Sequence, residues 1–114
     1  MKKVALLGTK FTMEQDFFKK RLLDHGIETL IPDAESDRDF IHSSIFSELG
    51  KGIFTDATKN MYLEIIEKLG QNGAEGVILG CTEIPMLIKQ EDCSMVTFDT
   101  TLIHAKSAVE FILG

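Results

Sequence analysis

Two short runs constrain this chain more than anything else in it. One is Val4-Ala5-Leu6-Leu7, closed by Gly8. The other is Val77-Ile78-Leu79, held between Gly76 and Gly80. Neither alternates apolar with polar residues, so neither has a face to offer to water. A strand of that kind is stable only when both faces are covered, as in a parallel sheet flanked by helices. Neither run approaches the roughly 20 apolar residues that cross a bilayer.

The stretches around these runs have helical period. In residues 9–25, Phe11, Phe17, Phe18, Leu22 and Leu23 recur at three- and four-residue steps. Thr12 and Gln15 match a capping box there, and Gly26 is a stop. Residues 27–31 read as a second strand, ended by Pro32-Asp33. Residues 37–49 carry Phe40, Ile41, Ile45, Phe46 and Leu49 at helical spacing, and Gly50-Lys51-Gly52 breaks the pattern. Residues 55–71 carry the longest apolar stripe, Met61, Leu63, Ile65, Ile66 and Leu69, ended by Asn72-Gly73. A fourth strand is predicted at residues 95–98 and a closing helix at 99–113. Strands alternating with helices predict a single α/β domain over residues 1–114. It has three layers, a four-stranded, mainly parallel sheet with helices on both faces.

Composition narrows the function classes. In 114 residues, 12 Lys and Arg face 18 Asp and Glu, a net charge of −6. That balance lacks the basic stripe of a nucleic-acid surface. A chain of this size buries a core without disulfide staples. Met1-Lys2-Lys3 resembles the start of a signal peptide, but the apolar run stops at Thr9-Lys10, too early for an export signal. A soluble, cytoplasmic protein without a membrane partner is the expectation. The two cysteines, Cys81 and Cys93, form no metal-binding spacing and are expected to be reduced, with no metal and no cofactor implied.

In open α/β sheets, ligands bind outside the carboxyl ends of the strands. Three segments fall there: Gly8-Thr9, Gly80-Cys81-Thr82-Glu83 and Asp99-Thr100-Thr101. Cys81 has two readings. It is either an inert buried thiol or a thiol activated at the start of the turn or helix that holds Pro85. Thr82 either caps that helix or offers its hydroxyl and N–H to an oxyanion. Glu83 opposes the helix dipole in its effect on the thiol, and the net sign is open from residues alone.

Gly80-Cys81-Thr82-Glu83-Ile84-Pro85, after Gly76-Val77-Ile78-Leu79, resembles the second catalytic-cysteine motif of the aspartate/glutamate racemase superfamily. The Glu after Cys-Thr looks like the aspartate racemase branch. Residues 4–13 look like the family's second-domain opening strand and loop, and residues 99–105 like its late Asp-Thr segment. The resemblance implies an amino-acid racemase without pyridoxal phosphate, acting on a small amino acid or dicarboxylate, aspartate first. It implies two thiols, one on each face of the substrate α-carbon. Cys81 would be the acid/base of this half. Thr82 would bond the substrate carboxylate, Thr9 would orient the thiol, and Lys51 would meet a substrate carboxylate. Glu83 and His104 are candidate tuning residues. Asp99 is expected to cap the last helix, and Cys93 matches no motif.

The resemblance covers the family's second domain alone, and the first domain's cysteine has no counterpart in these 114 residues. The chain by itself is therefore expected to be inactive unless a homodimer or a partner first domain completes the site. The alternative is a non-catalytic half-domain that binds a dicarboxylate or amino acid. The apolar last helix, with Ala105, Val109 and Ile112, is expected to promote dimerisation or slow aggregation.

Overall fold

Along β1 (Lys3–Leu7), successive side chains enter two different cores. Ala5 and Leu7 join Val77 and Leu79 on one face, with Ile41, Ile45, Ile65 and Leu69. Val4 and Leu6 join Ile78 and Phe98 on the other, with Leu22 and Ile27. The unbroken apolar runs are thus explained by strand pleat, which sends neighbouring residues to opposite sides. Each fully buried Leu, Ile or Val contributes about 1.5–3 kcal/mol of transfer free energy, so these two clusters dominate the stability of the fold.

The computed structural model describes residues 2–14 and 16–99. After β1 come α1 (Lys10–Glu14), α2 (Asp16–Asp24), β2 (Glu28–Leu30), α3 (Glu35–Ser47) and α4 (Asp56–Gln71). Then follow β3 (Gly76–Leu79), α5 (Ile84–Leu87) and β4 (Val96–Asp99). Asp99, predicted to open the closing helix, ends β4, and the rest of that predicted helix, with His104, lies outside the described residues. No helix among the described residues is long and apolar enough to cross a membrane.

Among the described residues the sheet has four strands in the order β2-β1-β3-β4, and all three pairings are parallel. Helix α2 contributes Leu22 to one face, while α3, α4 and α5 cover the other. The expected α/β architecture with helices on both faces is therefore what the chain adopts. The order has a consequence of its own. From β1 the chain moves outward to β2, and from β3 it moves outward in the opposite direction to β4. The reversal falls between β1 and β3, whose carboxyl ends diverge into separate connections and leave a crevice.

Local differences from the sequence reading have physical causes. The cap of α1 is Thr9, not Thr12: Thr9 Oγ1 accepts the Thr12 N–H at 3.3 Å. The helix starts almost directly after β1, so the first hydroxyl past the strand takes the capping role. Phe11, Leu23 and Phe46, counted in apolar stripes, are 72%, 64% and 60% exposed. Periodicity marks a face, but the neighbouring elements decide how wide a stripe is covered. Thr55 caps α4, accepting the Thr58 N–H at 3.2 Å.

Candidate active site

The crevice between β1 and β3 is formed by two glycines that let the strand ends approach. The Gly80 N–H donates to the Leu7 carbonyl at 2.7 Å. A Cβ at Gly80 would stand 2.9 Å from that same oxygen, so no larger residue fits without moving backbone. The methyl of Thr12 lies over both Gly8 and Gly80. Its hydroxyl meets that of Thr9 at 3.1 Å.

Above the strand ends lies an open cavity of about 390 Å³. Thr9 lines it from the end of β1, and Gly80, Cys81, Thr82 and Glu83 from the end of β3. The end of α3 and the turn after it close the third side with Ile45, Phe46 and Gly50. Four of the residues named from sequence, Thr9, Cys81, Thr82 and Glu83, thus share one cavity.

Cys81 is half-buried, and its thiol donates to Glu83 Oε2 at 2.9 Å. The Glu83 N–H points back at the sulfur at 3.4 Å. Burial is the main cause that pushes the Cys81 thiol above its ordinary range, and the Glu83 carboxylate pushes it further. The backbone N–H groups of Glu83 and Ile84 pull the other way without prevailing. Helix activation of the thiol is therefore not realised. Helix α5 has four residues, too few to build a strong dipole. In return, Cys81 first and Thr82 second hold the Glu83 carboxyl below the usual carboxylate range. The resting pair is a neutral thiol hydrogen-bonded to a carboxylate.

Thr82 is exposed and does not cap α5, whose cap position is Glu83. Its hydroxyl is thus left to Glu83 and to the cavity. Lys51 is exposed and does not line the cavity, although its neighbour Gly50 does. No described carboxylate pairs with its amine. The glycines beside it have structural duties: Gly52 takes φ +76° and its N–H bonds the Leu49 carbonyl, ending the turn Leu49–Lys51. Cys93 lines a different cavity with Leu63, Ile66 and Glu67, and its thiol is also raised, chiefly by burial. No group of three or more potential ligands among the described residues could hold a metal.

Two residues near the cavity escaped the sequence reading. Tyr62 is fully buried, and its hydroxyl meets Ser44 Oγ at 2.6 Å beneath the end of α3. Its burial is the chief cause that raises the phenol, and it lies near enough to Cys81 that a thiolate there would raise it further. His42 Nδ1 accepts the Lys10 N–H at 2.9 Å. Neither has a local signature, because both partners come from elements distant in sequence.

The family model of Asp/Glu/hydantoin racemases matches residues 1–108. The chain superposes on a crystal structure of a candidate Asp/Glu racemase from Yersinia pestis with a TM-score of 0.85 and 43% identity. That match covers 100% of this chain and 50% of the other. An aspartate racemase homologue from Pyrococcus horikoshii OT3 matches with a TM-score of 0.82 and 41% identity, over 99% of this chain and 49% of that one. The aspartate racemase of Picrophilus torridus matches at 0.66 and 26% identity, over 96% and 45%. An uncharacterised protein of Pectobacterium carotovorum subsp. carotovorum, encoded in the pnlA 3' region, is 29% identical over 78% of this chain and 57% of its own length. The chain thus spans about half the length of the solved relatives it matches. With a family model matching nearly its whole length, this chain belongs to the Asp/Glu/hydantoin racemase family.

Proposed function

We propose that this domain is one half of a cofactor-independent amino-acid racemase site, with Cys81 as its acid/base and aspartate as its first candidate substrate. The observation that carries this reading is the Cys81 thiol, bonded to Glu83 in the crevice between β1 and β3. Racemisation needs a base on one face of the α-carbon and an acid on the other. An opposing thiolate takes the α-proton and becomes a thiol. The electron pair left on carbon delocalises into the substrate carboxylate. Cys81 then gives its S–H proton to the opposite face and becomes the thiolate. The resting neutral thiol suits this donating role. In the reverse direction, Cys81 must first lose its proton.

The carboxylate that takes up the charge needs donors. Thr82 and Thr9, both in the cavity, are assigned to it and to thiol orientation. Lys51, unpaired one residue from the cavity wall, is assigned to a substrate carboxylate by swinging over the mouth. Glu83 tunes Cys81. His104 keeps its assignment as a candidate tuning residue. The opposing thiol is not Cys93, which lines a separate cavity. It comes from a second copy of the chain or from a partner racemase domain.

Deuterium exchange at the α-carbon of aspartate in deuterated water tests the reading. The protein should wash in deuterium, and Cys81→Ser should lower the rate by about 10²–10⁴-fold, the usual worth of an acid/base group. Exchange that survives Cys81→Ser would overturn it. The single thiol of the cavity favours a second reading, a half-domain that binds a dicarboxylate without turning it over. Thermal stabilisation by aspartate or succinate, lost on Lys51→Ala, together with no exchange at any protein concentration, would favour that one.

A further inference from the structure

The Thr9 side of the cavity rests on one stripe of α3 that the proposed chemistry does not use. Glu35, Asp39, His42 and Phe46 follow one another at steps of four, three and four residues, so they share a face of that helix. Three of them grip a single residue. The Lys10 amine lies 2.8 Å from Asp39 Oδ1 and 3.3 Å from Glu35 Oε1. The Lys10 backbone N–H donates to His42 Nδ1 at 2.9 Å. The fourth, Phe46, lines the cavity and stands with its ring centroid 5.0 Å from that of His42.

The peptide N–H that His42 holds belongs to the bond between Thr9 and Lys10. Peptide planarity ties that N–H to the carbonyl of Thr9, so fixing one fixes the plane that leaves Thr9. It is also the first N–H of α1, a group with no partner inside its own helix. Thr9 satisfies the Thr12 N–H and the Met13 N–H, at 3.3 Å and 2.9 Å. His42 satisfies the Lys10 N–H, which Thr9 cannot reach. The ring then meets Phe46, so a single side chain connects two walls of the cavity.

We infer that His42 is a positioning residue: it fixes the Thr9–Lys10 peptide against the Phe46 wall and so sets where the Thr9 hydroxyl stands in the cavity. The inference deepens the racemase reading and rests on it for its effect on turnover, but the brace itself is independent of that chemistry. The function requires an acceptor at the Nδ1 position and not an imidazole as such. Asparagine places its side-chain oxygen close to that position, so His42→Asn keeps the brace and His42→Ala removes it.

The test compares the two variants with the unaltered chain by two measurements. The first is hydrogen exchange at the Lys10 amide. His42→Ala should speed it about five- to tenfold, the worth of one neutral hydrogen bond, and His42→Asn should restore protection. The second is α-proton exchange of aspartate, which His42→Ala should slow by a similar factor, in kcat more than in KM, with Asn again restoring it. Circular dichroism melts confirm that each variant folds. Unchanged Lys10 protection in His42→Ala, or a folded His42→Asn that restores neither quantity, would overturn the inference. If the unaltered chain exchanges no α-proton while Lys10 protection responds as stated, the chain does not complete a racemase site by pairing with itself, and the brace stands.

Discussion

Cys81 and Glu83 form the smallest unit with a chemical consequence. The carboxylate accepts a hydrogen bond from the thiol at 2.9 Å and raises it, while burial raises it more. Glu83→Gln removes the charge and leaves the burial. The thiol should then ionise at lower pH than in the unaltered protein, yet still above an ordinary cysteine. The rate of Cys81 alkylation by iodoacetamide, followed against pH, reads this directly, and an unmoved or upward-shifted profile would count against the pairing. Gly80 is the second residue-scale determinant. A Cβ there would meet the Leu7 carbonyl at 2.9 Å and Leu6 Cδ1 at 3.3 Å. Gly80→Ala should cost about 1–3 kcal/mol by overpacking, measurable as a lowered urea midpoint. Cys81 was legible in the sequence as a reactive group at a strand end. The sign of its pKa shift was not, because it depends on how deeply neighbouring elements bury the sulfur.

Elements show the same division. Strands β1 and β3 were legible because an apolar run closed by glycine has few other fates. The cap of α1 was misassigned, since a capping motif fits several nearby hydroxyls and only the distance from the strand end selects Thr9. Strand β4 carries a device that no local pattern announces. The Gln90 side-chain amide donates to the Met95 carbonyl at 3.0 Å and accepts the Thr97 N–H at 2.8 Å. Those two groups point away from β3, because the residue between them, Val96, faces it in the parallel ladder. Gln90 thus stands where a peptide of a next strand would stand, and it blocks the edge that β4 forms among the described residues. Gln90→Leu should leave the fold intact and raise the aggregation rate, followed by light scattering at fixed protein concentration. Equal aggregation of the two proteins would show that the edge is guarded by something else.

At the scale of the whole molecule, the crevice holds one thiol where the proposed reaction needs two. If a second copy supplies the other, exchange per chain should rise with protein concentration and level off as dimer saturates, in step with sedimentation velocity. Constant activity per chain across a monomeric range would exclude that arrangement. The class of the fold, the parallel sense of its sheet and the nomination of Thr9, Cys81, Thr82 and Glu83 were determined by sequence alone. Their signals are local: apolar runs, helical period and reactive residues just past strand ends. The strand order β2-β1-β3-β4 was decided only by tertiary structure. So was the convergence of residues 9 and 81 on one crevice, since that depends on which strands become neighbours. Exposure of Phe11 and Phe46, the raised Cys81 thiol and the grip of His42 on Lys10 were likewise settled by packing. Each depends on contacts between segments far apart in the chain, where desolvation and geometry, not neighbours in sequence, set the energy.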